Sequence, residues 1–148
     1  MIYIENESGQ PFPADLLERA ARAALNLSGA PDADLSINII DDERIQALNR
    51  DFLGHDAPTD VLSFPADEPD PETGRRYLGD IAISYARADA QARERGHALE
   101  SEMQLLAVHG VLHLLGHDHA EPAEKKRMWA AQAGVLEQLG ISPQIVHE

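Results

Sequence analysis

The run His109-Gly110-Val111-Leu112-His113-Leu114-Leu115-Gly116-His117-Asp118-His119 holds four of the chain's seven histidines. With Leu105, Leu106 and Val108 before it, the apolar residues cover nearly every face of one predicted helix, the pattern of a helix buried in the middle of a domain. His109 and His113 lie one turn apart on such a helix and project from the same face, the spacing by which a helix offers two imidazoles to one metal ion. Gly116 is the residue type that ends a helix, because it takes a positive φ without a Cβ penalty. A straight helix carrying His109, His113 and His117 would set the outer two roughly 12 Å apart along its axis. Zn–N bonds are only about 2.0–2.1 Å long, so those three cannot share an ion. A third ligand must follow a reversal at Gly116, and spacing alone does not choose between His117 and His119.

Outward from this helix, Pro122 starts a last helix with Met128, Val135, Leu136 and Leu139 on its inner side; the tail after Pro143 carries no pattern. Upstream, a helix from about Tyr85 closes at Gly96, and the central helix opens near Glu100. Leu78-Gly79-Asp80-Ile81-Ala82-Ile83-Ser84 and Thr59-Asp60-Val61-Leu62-Ser63-Phe64-Pro65 read as two strands of a hairpin, the second ending at its proline. The acidic, proline-containing stretch from Ala66 to Arg76 reads as an exposed loop. Near the N-terminus, Ile2 to Glu5 and the alternating Leu35, Ile37 and Ile39 read as strands. Between them a helix introduced by Pro11 and Pro13 carries Leu16, Leu17, Ala20, Ala23, Ala24 and Leu27, and Gly29 stops it. Asp41 caps a further helix with Ile45, Leu48 and Phe52 inward, ended by Gly54. The order β-α-β-α-β-β-α-α-α predicts two right-handed crossovers followed by a hairpin. The expected fold is one α/β (α+β) domain over residues 1–148, a mixed four-stranded sheet packed by about five helices, with the histidine-bearing helix at its centre.

Composition limits the chemistry. There is no cysteine, so any metal must be held by His, Asp or Glu. No apolar run approaches the roughly 20 residues that span a bilayer, and Met1-Ile2-Tyr3-Ile4-Glu5 lacks the regions of a signal peptide, so a cytoplasmic protein is expected. A net charge of −14, from 26 acidic and 12 basic residues, argues against indiscriminate nucleic-acid binding. The basic groups Arg75-Arg76, Arg93 with Arg95, and Lys125-Lys126-Arg127 read first as solvated faces.

Three neutral imidazoles with an open fourth position describe a catalytic zinc site, although the same donors suit nickel or copper. Gly110 stands where the H-E-x-x-H peptidases carry their glutamate base, which speaks against a peptidase. Asp118 is the nearest candidate to orient a ligand imidazole or accept a proton, and also a turn-capping residue. Asp60 and Asp80 interrupt apolar strands and are ordinarily turn or edge residues; with Thr59 and Ser63 beside it, Asp60 marks the better substrate edge.

The histidine run resembles the H-G-x-L-H-L-x-G-[YH]-D-H signature of the YbeY endoribonuclease family. Leu48-Asn49, Asp56-Ala57-Pro58-Thr59-Asp60-Val61-Leu62-Ser63-Phe64-Pro65 and Leu78 to Ser84 resemble that family's other blocks in order, so the likeness covers roughly residues 35 to 140. It implies a single-strand-specific, zinc-dependent endoribonuclease acting in 16S rRNA 3′-end maturation and late-stage ribosome quality control. It also implies His109, His113 and His119 as the ligands of one Zn2+ ion, with single-stranded RNA, rRNA and the ribosomal small subunit or its assembly factors as partners. His117 falls where the family commonly has tyrosine. The pattern departs at Phe52-Leu53-Gly54, where many members carry an aromatic-Arg-Gly triplet whose arginine contacts substrate; here Leu53 takes that place and Arg50 lies three residues earlier. Two other functions fit the histidines: a non-nucleolytic ribosome-assembly factor with a structural zinc, which needs four protein ligands, and a small-substrate metallohydrolase, which needs a narrow channel. Oligomeric state leaves no mark in the sequence.

Overall fold

Leu35, Ile37 and Ile39 alternate along β2 (Asp34–Ile40) and are each at most 1% exposed, which makes this an interior strand. β1 (Ile2–Asn6) and β4 (Arg76–Ser84) flank it, both parallel to it, and β3 (Val61–Pro69) pairs antiparallel with β4. The sheet order is therefore β1-β2-β4-β3. The computed structural model describes residues 1–142; the tail after Pro143 lies outside the described residues.

Five helices complete the mixed fold: α1 (Ala14–Leu27), α2 (Asp42–Leu53), α3 (Tyr85–Arg95), α4 (Leu99–Leu114) and α5 (Pro122–Gln138). Local chemistry sets their ends. The Asp41 carboxylate accepts from the Arg44 backbone N–H at 2.8 Å to cap α2, and Pro122 occupies the first turn of α5. α4 is the central helix: 11 of its 16 residues are buried, and it packs on α1, α3, α5, β3 and β4. Met103 and Leu112 are wholly enclosed, each burial contributing about 1.5–3 kcal/mol. Gly110 is the point of closest approach to the sheet, since a Cβ there would lie 2.9 Å from the Ile81 side chain. The residue that excludes a peptidase base thus also lets α4 seat on β4.

Three expectations are corrected. β3 does not end at Pro65: its register shifts between Pro65 and Glu68, where Asp67 takes φ 52°, and pairing resumes to Pro69. As an edge strand, β3 tolerates proline, and the extra residues form a bulge. The expected second crossover is not a parallel one, because β3 runs antiparallel to β4 and β4 lies between it and β2. β4, with Leu78, Ile81, Ala82 and Ile83 buried, takes the interior place, while β3 beyond Phe64 is exposed. Phe52 does not point inward: it is 67% exposed and meets Phe64 edge-on at 5.5 Å. Ile45 fills the core beneath α2, with Leu48 partly buried beside it.

Candidate metal centre

The end of α4 places the histidines. Gly116, at φ 99°, donates its N–H to the His113 carbonyl at 3.0 Å, and the His117 N–H reaches the Leu112 carbonyl at 3.0 Å. This pair of bonds is a Schellman ending, which satisfies the last carbonyls and turns the chain back on the helix. After the turn, His119 packs its ring 5.2 Å from that of His113 and 5.6 Å from that of His109. His117 faces elsewhere, with Gly116, Asp118, Glu124 and Arg127 around a separate depression.

His109, His113 and His119 each offer one nitrogen, and these three atoms lie within 4.8 Å of one another. His109 Nε2 and His113 Nε2 are 3.1 Å apart. Two Zn–N bonds of about 2.0–2.1 Å at a tetrahedral angle put their nitrogens about 3.3 Å apart, so the pair is already spaced for a shared ion. Gln132, only 1% exposed on α5, presents Oε1 to His109 Nδ1 at 3.0 Å. That contact makes Nδ1 the donor and leaves the Nε2 lone pair for a metal. Burial, reinforced by the neighbouring His113, pushes the His109 pKa down to about 4; burial and then His119 lower that of His113. Both rings are therefore presented in the neutral form that binds a metal. No fourth His, Asp or Glu joins the group among the described residues.

The three imidazoles line an open cleft of about 640 Å3 whose other walls include Thr59, Asp60 and Ser63 of the strand edge, Leu105 and Leu106 of α4, and Lys125, Trp129 and Gln132 of α5. Ser63 Oγ donates to the Gly110 carbonyl at 3.0 Å, which ties the strand wall to the helix. Asp60 Oδ1 accepts from the Val61 N–H at 2.8 Å. Behind it, the Gln91 amide nitrogen donates to Asp60 Oδ2 at 3.3 Å and to Glu102 Oε2 at 2.9 Å, and His97 Nε2 donates to Glu102 Oε1 at 2.5 Å. Glu102 is fully buried, so this chain of polar groups satisfies it.

Asp118 is not among the lining residues of the cleft; its Oδ1 accepts from the His119 N–H at 2.7 Å, within the returning loop. Asp80 lies on another face of the sheet, accepting from the Tyr77 hydroxyl at 2.5 Å in a groove with Tyr3, Phe52 and Phe64. Leu53 is 54% exposed and, like Arg50, is absent from the cleft wall. Sequence reasoning missed Gln132 and Trp129 and read Lys125 as part of a solvated face. A polar glutamine on the apolar side of α5, four residues after Met128, was the available signal.

A family model described as Endoribonuclease YbeY matches residues 3–140. The chain belongs to the YbeY endoribonuclease family. The match begins well before residue 35, where the recognisable sequence blocks start. The Endoribonuclease YbeY of Desulfitobacterium hafniense (strain Y51) is 46% identical over 144 residues, covering 93% of this chain and 90% of that protein. That of Chloroflexus aurantiacus (strain ATCC 29366 / DSM 635 / J-10-fl) is also 46% identical, over 151 residues, covering 95% and 98%. The solution structure of TM1509 from Thermotoga maritima matches with a TM-score of 0.61 at 26% identity, covering 95% of this chain and 92% of that one. The mixed sheet and five helices are thus those of a YbeY-family domain. Among the described residues, no helix is long and apolar enough to cross a membrane.

Proposed function

We propose that the chain acts as one YbeY-like domain that hydrolyses single-stranded RNA at a zinc ion held by His109, His113 and His119. Membership of an endoribonuclease family makes it a nuclease acting on RNA. The observation that carries the metal assignment is the convergence of three imidazole nitrogens within 4.8 Å on the wall of an open cleft. A three-histidine set leaves a coordination position for water or substrate, which supports catalysis over a purely structural zinc. A cleft of about 640 Å3 that is open to solvent, rather than a narrow channel, also supports a polynucleotide over a small substrate.

Zinc, when bound, stabilises negative charge on a phosphoryl oxygen and lowers the pKa of water toward about 7. The protein's own groups prepare that chemistry. Gln132 fixes the His109 tautomer, and the Schellman turn with Asp118 holds the His119 arm. Asp118 is therefore assigned the role of capping the loop that carries His119 rather than moving a proton in the cleft. Leu105 and Leu106 supply an apolar floor that strengthens electrostatic interactions beside it. Asp60, fixed by Val61 and Gln91, is the carboxylate of the cleft wall. The finer assignments rest on the family resemblance: 16S rRNA 3′-end maturation, ribosome quality control, small-subunit or assembly-factor partners, and a cytoplasmic location.

Replacing His113 with Ala tests the reading. Zinc stoichiometry, circular dichroism and cleavage of a single-stranded oligoribonucleotide are measured together. The variant is expected to keep its fold, lose zinc and lose cleavage by about 10²-fold or more, the scale of removing a charge-stabilising group. Undiminished cleavage by the zinc-free variant would overturn it.

A further inference from the structure

We propose that Lys125 is the phosphate-contacting cation of the cleft, holding one backbone phosphate of single-stranded RNA beside the histidine group; the inference rests on the ribonuclease reading above. The substrate is a polyanion and the chain carries a net charge of −14, so a cation at the site has a disproportionate effect on binding. Among the described residues lining the cleft, Lys125 is the lysine or arginine.

Its neighbours in sequence and in function are placed differently. Lys126 and Arg127 are exposed, and Arg127 borders the depression around His117. Arg50 and Leu53 lie outside the cleft wall, and Leu53 holds no charge. The half-buried Lys125 has its Nζ 5.8 Å from the centroid of the Trp129 ring, one turn along α5. That same ring meets His109 edge-on at 5.9 Å and His119 at 5.7 Å. One aromatic ring therefore links the ammonium to two of the three imidazoles. The cation–π contact limits the wandering of a flexible lysine, and an ammonium is a point-charge phosphate binder that needs no bidentate geometry.

The test uses the zinc-loaded full chain and a fluorescent single-stranded oligoribonucleotide, over a series of salt concentrations. Binding by anisotropy and cleavage as kcat and KM are measured for wild type, Lys125→Met, Lys125→Arg and Lys126→Met. Lys125→Met is expected to weaken binding about tenfold, the lower end of the scale of one charge-assisted contact. The slope of log affinity against log salt should become shallower by about 0.7, the value for one phosphate on a single strand. KM should rise more than kcat falls, with zinc stoichiometry unchanged. Lys125→Arg should restore the slope, and Lys126→Met, the same charge change one residue away, should leave it alone. Wild-type affinity and slope in Lys125→Met, or an equal loss in Lys126→Met, would overturn the inference. A wild type that binds RNA with the Lys125-dependent slope but cleaves none would overturn hydrolysis and leave the lysine in place. Neither binding nor cleavage by the wild type would overturn both.

Discussion

His117 and His119 stand two residues apart on either side of one turn, and their surroundings share almost nothing. His119 joins His109 and His113 in a cleft of about 640 Å3, with Trp129 edge-on and Gln132 behind the group. His117 borders a depression of about 190 Å3 with Asp118, Glu124 and Arg127, and no second histidine among the described residues. The residue type is the same, so the difference comes from the backbone. Gly116 reverses the chain in such a way that the odd arm of the series returns to the helix and the i+4 arm leaves it. A histidine group that could hold a metal ion is here a property of how a helix ends as much as of which residues it carries.

The contrast can be strained at three points, in decreasing order of expected effect. Gln132 supports His109 of the three-histidine group, and among the described residues no glutamine lines the depression beside His117. Gln132→Leu is expected to weaken zinc affinity by about 10–100-fold, as loss of a group behind a ligand does, in a competition titration against a chelator. Unchanged affinity would show that His109 needs no such support.

Burial marks one member of the group, the half-buried His109. The His109 pKa is pushed down to about 4 in the folded chain, against about 6.5 when unfolded. Between those values the unfolded chain takes up the proton first, so stability is full above pH 6.5 and is lost as the pH falls through 4. With the ring partly open to solvent, the zinc-free protein should lose on the order of 1–2 kcal/mol from this group between pH 7 and pH 4. Thermal melts of zinc-free wild type and His109→Gln check it: the acid-induced drop in Tm should be smaller in the variant, and equal drops would contradict the assignment.

Gly116→Ala puts a Cβ on a residue at φ 99° and is expected to cost about 1–2 kcal/mol. Because the strain falls on the arm carrying His119, zinc affinity should fall alongside Tm. A loss of Tm with full zinc affinity would mean that the turn does not set the ligand arm.

Much of this was legible before any coordinates. Periodicity located every helix and strand, Gly96 and Gly54 closed α3 and α2 where expected, and the axial rise of a helix ruled out a 109-113-117 group. That His119 rather than His117 sits with His109 and His113 was implied only by the family resemblance, since it depends on the hand of the turn at Gly116. What could not be read depends on tertiary neighbours. Phe52 fits an inward-facing helical pattern, yet α2 covers a small apolar cluster already filled by Ile45 and leaves Phe52 against Phe64 at its edge. Pro65 looked like a strand end because only an edge strand tolerates it, and sequence did not say that β3 would be the edge. Gln132, Trp129 and Lys125 reach the cleft from α5, and the local sequence hints at this only through a polar glutamine on that helix's apolar side. The packing of α5 against α4 chooses them.

The most direct test sets the two histidines against each other. Zinc stoichiometry and affinity are measured, with RNA cleavage in the same preparations, for His119→Ala and His117→Ala. His119→Ala should lose stoichiometric zinc and cleavage while His117→Ala keeps both near wild type; zinc retained in His119→Ala and lost in His117→Ala would contradict the assignment of the centre.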